Sequence, residues 1–84
     1  MRRSTMNSIS IPLPRAVPGR EYIIESVDEG SVNISAFHGY GIFPGSKIKL
    51  LFRSPTKNPA AYEVMGAVLA LRHEDSGGIL ISPL

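Results

Sequence analysis

Three glycines and a proline stand within seven residues, Gly39-Tyr40-Gly41-Ile42-Phe43-Pro44-Gly45, directly ahead of the alternating segment Lys47-Ile48-Lys49-Leu50. Glycine gives up more backbone entropy on folding than any other residue. Such a cluster before a strand therefore marks either a tight corner of a small β fold or a functional loop. Proline presets φ for the second position of a turn, and glycine supplies the positive φ that a type II turn needs at its third. Phe43-Pro44-Gly45-Ser46 accordingly reads as the turn that launches the strand at Ile48. The glycine spacing matches no phosphate cradle. A P-loop ends Gly-Lys-Ser/Thr and opens a helix, whereas Gly45-Ser46-Lys47 reverses that order and feeds a strand.

The remaining segments are short and β-rich. Prolines at 12, 14 and 18 forbid a regular helix in the stretch up to Gly19 and give an extended lead-in. Residues 21–27, EYIIESV, read as a strand, followed by the turn cluster Asp28, Glu29, Gly30 and Ser31. Residues 31–40 fit two readings. Val32 and Ile34 alternate as in a strand, yet Ser31 could cap a short helix with apolar contacts at Ile34 and Phe37. In 46–53, SKIKLLFR, Ile48, Leu50 and Phe52 fall on one face and Lys47, Lys49, Leu51 and Arg53 on the other. A loop with Pro55 and Pro59 follows, and then AYEVM at 61–65, with Tyr62 and Val64 inward. Gly66 breaks that strand, AVLAL at 67–71 forms the next, RHEDSGG is a polar turn or single helical turn, and ILIS at 79–82 closes the series. Five short strands with Gly/Pro turns predict a mainly all-β chain. The expected form is a small SH3-like five-stranded barrel with at most one short helix or helical turn, since closure protects strand edges.

An 84-residue chain is expected to hold one domain, here residues 11–84, behind a disordered tail at 1–10 in which Met6 is a second candidate start. The formal net charge is +2, but Arg2 and Arg3 lie in that tail; without them seven basic residues balance seven acidic ones. A nucleic-acid binder concentrates Lys and Arg on one face of its body, so no nucleic-acid partner is expected. The absence of cysteine removes a disulfide framework and every thiolate-based metal site, and it fits a reducing compartment. No run approaches the ~18 apolar residues that span a bilayer, and the start does not read as a signal peptide. The expected location is the cytoplasm, with any membrane contact made through a partner.

Catalytic chemistry finds no support. The histidines His38 and His73 lie in no nucleophile constellation, and the carboxylate pairs Asp28/Glu29 and Glu74/Asp75 sit in turn-like contexts. No enzyme and no cofactor are expected. His38, His73, Glu74 and Asp75 are the residues that could offer a weak, hard divalent-cation site, although their spacing matches no ligand signature. Leu51, Met65 and Leu80 are apolar at outward strand positions and form the candidate partner surface.

The order of these pieces resembles the ferrous iron transport protein A (FeoA) family over roughly residues 19–82. That family shows a Leu-Gly-Ile/Met-x-Pro-Gly turn, a β-hairpin, and a closing Gly-x-x-x-Ala-Leu-Arg segment ending in an Ile-x-Val strand. Gly41, Ile42, Pro44 and Gly45 match the turn; Gly66, Ala70, Leu71, Arg72 and Ile79 match the closing segment. Tyr40 stands in place of Leu, Gly77 of Ala and Ile81 of Val, and SVNISAFH at 31–38 replaces a short Arg/Leu-rich helix. The resemblance implies an SH3-like barrel in the cytoplasm. It would be a non-enzymatic accessory to the membrane ferrous iron transporter FeoB, docking on its cytosolic GTP-binding domain and modulating it.

Two other functions fit the same pattern of strands. An SH3-like nucleic-acid or ribosome-binding module would use Lys47, Lys49, Arg53 and Lys57 as a basic face. A metal-sensing module would resemble the SH3-like domain of iron-dependent repressors, here without a helix-turn-helix.

Overall fold

Alternating apolar residues favour strands wherever one face can be buried, and six strands are present among the described residues. In the computed structural model, residues 10–28 and 34–84 are described. The strands are β1 (Ile11–Pro12), β2 (Glu21–Val27), β3 (Lys47–Arg53), β4 (Ala60–Val64), β5 (Ala67–Leu71) and β6 (Ile79–Pro83). Two short helices, α1 (Ile34–Tyr40) and α2 (His73–Ser76), and a 3-10 turn at Leu13–Arg15 complete the order. The strands form one antiparallel sheet in the order β1-β6-β2-β3-β4-β5. The expected small, mainly β architecture is present. The sixth strand is the two-residue β1, and the polar segment at 73–76 is a helical turn.

The core lies inside the curved sheet. Tyr22 and Ile24 from β2, Ile48 and Leu50 from β3, Tyr62 and Val64 from β4, and Ile79 and Ile81 from β6 are all buried. Each fully buried aliphatic side chain of this kind contributes roughly 1.5–3 kcal/mol. Leu13, from the Pro-rich lead-in, is also fully buried. The lead-in is fixed by Arg53, whose Nη2 donates to the carbonyls of Pro14 (2.9 Å) and Ala16 (3.0 Å). The Val17 N–H donates to the Tyr22 hydroxyl at 2.9 Å, and the Gly19 N–H to the Leu50 carbonyl at 2.8 Å.

Phe52 corrects the sequence reading. It was expected inward with Ile48 and Leu50, yet it is 61% exposed. The β3–β4 register runs Leu50↔Tyr62 and then Phe52↔Ala61, so β3 carries one extra residue there. A bulge of this kind inverts the in/out phase beyond it. Phe52 turns out, Leu51 and Arg53 become half-buried, and Arg53 is aimed at the lead-in.

The ambiguous segment is helical over Ile34–Tyr40. The proposed Ser31 cap, the turn at 29–31, the tail at 1–9 with Arg2, Arg3 and Met6, and the Ile34 side chain lie outside what is described. The helix ends in a Schellman motif. The Ile42 N–H donates to the Phe37 carbonyl (2.8 Å), the Gly41 N–H to the His38 carbonyl (3.1 Å), and Gly41 has φ +91°. Ile42 and Phe37, the apolar pair that accompanies such a motif, are both buried.

Candidate functional site

The glycine cluster resolves into two consecutive chain reversals. Gly41 closes α1, and four residues later Gly45, with φ +97°, turns the chain into β3. The Ser46 N–H donates to the Phe43 carbonyl at 3.0 Å, closing the expected turn. Ile24 then ties that turn to β2 with two 2.8 Å bonds, its N–H to the Ser46 carbonyl and its carbonyl from the Gly45 N–H. With both reversals anchored, the residues between and beside them, Tyr40 and Phe43, are held out toward solvent at 53% and 40% exposure. The His38 ring meets Phe43 edge-on, with centroids 6.4 Å apart.

The β4–β5 hairpin brings a third apolar group to the same place. Val64 and Ala67 pair across the two-residue turn Met65-Gly66, with φ values of +52° and +82°, the signs a type I′ turn demands. Met65 is 75% exposed and packs over the α-carbon of Gly41. A hollow of about 560 Å³ opens between the end of α1 and this hairpin, lined by Tyr40, Phe43, Val64, Met65 and Val68 among others. A second, of about 470 Å³, shares Phe43 and Met65 and has Glu21, Lys47, Lys49 and Glu63 among its other lining residues. Phe43 and Met65 are thus the ridge between an apolar hollow and one with a mixed-charge rim.

Met65 is therefore joined by Tyr40, Phe43 and Val68, which sequence reasoning missed as surface residues. Their signal was present: two aromatic residues flank Gly41 in a turn too tight to bury both. Leu80 (38% exposed) lies on β6 and Leu51 is half-buried on β3; neither lines these hollows. The family-motif residues Gly41, Ile42, Pro44, Gly45, Gly66, Ala70, Leu71, Arg72 and Ile79 frame the turn and the last two strands.

The cation candidates sit in separate surroundings. His38 lines the apolar hollow, whereas His73, Glu74 and Asp75 form α2. The Asn58 side chain seats that helix: its Oδ1 accepts from the His73 N–H at 3.0 Å and its Nδ2 donates to Glu74 Oε1 at 3.4 Å. The Glu74 carboxyl is held below its ordinary value by its own backbone N–H and then by Asn58. Among the described residues no group of three or more His, Asp or Glu could hold a metal ion. Of the four basic residues considered for a nucleic-acid face, Lys49 pairs with Glu63 at 3.9 Å and Arg53 is committed to the lead-in carbonyls. Burial pushes the Tyr62 phenol up, with the neighbouring Ser76 hydroxyl and Arg53 charge pulling the other way. Among the described residues no helix is long and apolar enough to cross a membrane.

Residues 11–83 match the model of the FeoA domain. Iron(II) transport protein A from Clostridium thermocellum superposes with a TM-score of 0.83 at 22% identity, covering 88% of this chain and 46% of that one. This chain thus spans about half the length of that neighbour. A FeoA-like protein from Clostridium acetobutylicum gives a TM-score of 0.81 at 23% identity, covering 89% and 87%. FeoA of Stenotrophomonas maltophilia complexed with zinc, a procaryotic SH3 domain protein, gives 0.73 at 17% identity, covering 86% and 89%. At these identities the structural likeness speaks for the fold, which is SH3-like. No curated protein matches the chain.

Proposed function

The chain belongs to the FeoA family, and on that premise we propose that it is a non-enzymatic, cytoplasmic accessory module for ferrous iron uptake. It docks through the Phe43–Met65 ridge on the cytosolic GTP-binding domain of a FeoB-type transporter and modulates it. The observation that carries this reading is the family match over residues 11–83. Ferrous iron transport activation is the role put forward for the Stenotrophomonas relative, and iron uptake regulation is named for another.

The surface supports the same reading. Apolar side chains held out by anchored backbone are suited to a protein partner, because their burial supplies binding energy with little ordering cost. Charged groups at the rim, Glu21, Lys47, Lys49 and Glu63, set orientation more than affinity. The module reaches the membrane through its partner alone and uses no cofactor and no nucleic acid.

Titrating the chain into the purified cytosolic domain of the cognate transporter, with and without GTP analogue, tests this. The expected result is saturable binding together with a change in GTP hydrolysis rate. Absence of both at high micromolar concentration overturns the proposal.

A further inference from the structure

The two edges of the sheet are built differently. At one end β1 is two residues long and includes Pro12, which offers no amide, so that edge is blunted. At the other end β5 is five residues of Ala, Val and Leu with no charge and no proline, and it pairs with β4 alone. Ala67, Val68 and Ala70 are exposed, Val68 at 63%.

The hairpin turn determines which β5 backbone groups face outward. A two-residue turn makes Val64–Ala67 a pair that exchanges both hydrogen bonds, and alternate pairs, Tyr62–Leu69 and Ala60–Leu71, do the same. Val68 and Ala70 therefore aim both their N–H and C=O groups away from β4. Among the described residues no hydrogen bond outside the strand ladders reaches either of them. An open row of donors and acceptors on an uncharged strand is a template for another strand.

We propose that this edge pairs with the β5 edge of a second copy of the chain, antiparallel, about a two-fold axis at Leu69. The parity fits. With Leu69 opposite its counterpart, Val68 of each copy faces Ala70 of the other, and these outward-pointing residues exchange four backbone hydrogen bonds. Neither strand brings a charge that would repel the other, and the apolar Val68 side chains are covered. Because the pairing consumes both open edges and the β1 edge is blunted, the assembly closes at two copies. The inference does not rest on the transporter partner: the proposed ridge residues Phe43 and Met65 lie outside β5, although Val68 also lines the hollow beside them.

Absence of cysteine makes the test direct. In the two-fold register a cysteine in Leu69→Cys meets its counterpart in a non-hydrogen-bonded pair, about 4.5 Å between α-carbons. A cysteine in Ala67→Cys lies about 14 Å from its own, four residues along the ladder. Under mild oxidation Leu69→Cys is expected to crosslink at least tenfold faster than Ala67→Cys, giving a species of twice the 9.1 kDa chain mass. In the unmodified chain, exchange of the Val68 and Ala70 amides should slow between about 10 µM and about 1 mM, and Val68→Lys should abolish that dependence. Exchange independent of concentration, equal crosslinking of the two variants, or growth beyond two copies overturns the proposal.

Discussion

A β-carbon added to Gly41 would stand 2.5 Å from the Met65 sulfur, so the exit of α1 and the tip of the β4–β5 hairpin meet across a gap that glycine leaves open. Both residues have positive φ, +91° and +52°. Two chain reversals far apart in sequence are thus brought together at the proposed docking ridge.

Gly41→Ala is expected to destabilise the fold by about 1–2 kcal/mol, the usual penalty of a left-handed conformation, read as a lower urea midpoint. Because Met65 is long and exposed, its side chain should swing aside, seen as a shift of its methyl NMR signal. Gly45→Ala, at φ +97° with open space around it, should show a similar stability loss and leave the Met65 methyl unmoved.

Arg53→Met keeps the aliphatic stem and removes the donor to Pro14 and Ala16. Loss of a hydrogen-bonded charged group should cost about 1.5–3 kcal/mol, measured by urea unfolding. Amide exchange in the lead-in should rise most at Ala16 and Val17.

Most of the strand layout was legible because local alternation and turn chemistry agree over 21–27, 46–53 and 60–71. Phe52 was not, because a bulge arises from pairing with β4 and leaves no trace in one strand's own periodicity. The helical state of residues 34–40 was one of two readings that the sequence left open. The choice between them is made by the Schellman closure at Gly41, where the Ile42 and Gly41 N–H groups meet the Phe37 and His38 carbonyls, and periodicity alone does not show that closure. The lead-in is tied down by Arg53, 39 positions from Pro14, whereas proline spacing alone suggested only an extended segment. Met65 was visible as an outward residue, whereas its grouping with Tyr40 and Phe43 required the close approach of hairpin and helix.

Glu74 provides a pH test of α2. Its folded-state value is depressed, so its contribution to stability is present above the ordinary carboxylate value and fades as pH falls through the lower, folded one. An NMR titration should place its midpoint below 4.5, and Asn58→Ala should move that midpoint up. An unchanged midpoint in the variant would remove Asn58 as a cause.

Tyr62 gives the opposite sign. Its raised folded value means that its contribution is intact below pH 10 and is lost as pH rises through the folded value. Ultraviolet difference spectra should show the Tyr62 phenol ionising above the ordinary tyrosine range.

The docking proposal rests on the ridge, and Met65→Asn isolates it. Asn-Gly is a favoured pair for a type I′ turn, so this variant should fold at least as well as the parent while lacking the exposed thioether. The decisive measurement is NMR shift mapping of the chain as the transporter's cytosolic GTP-binding domain is added, repeated with Met65→Asn and Phe43→Ser. Perturbations centred on Tyr40, Phe43 and Met65, with affinity at least tenfold weaker in both variants, are the expected result. Unperturbed spectra, or binding at parental strength by both variants, would contradict it.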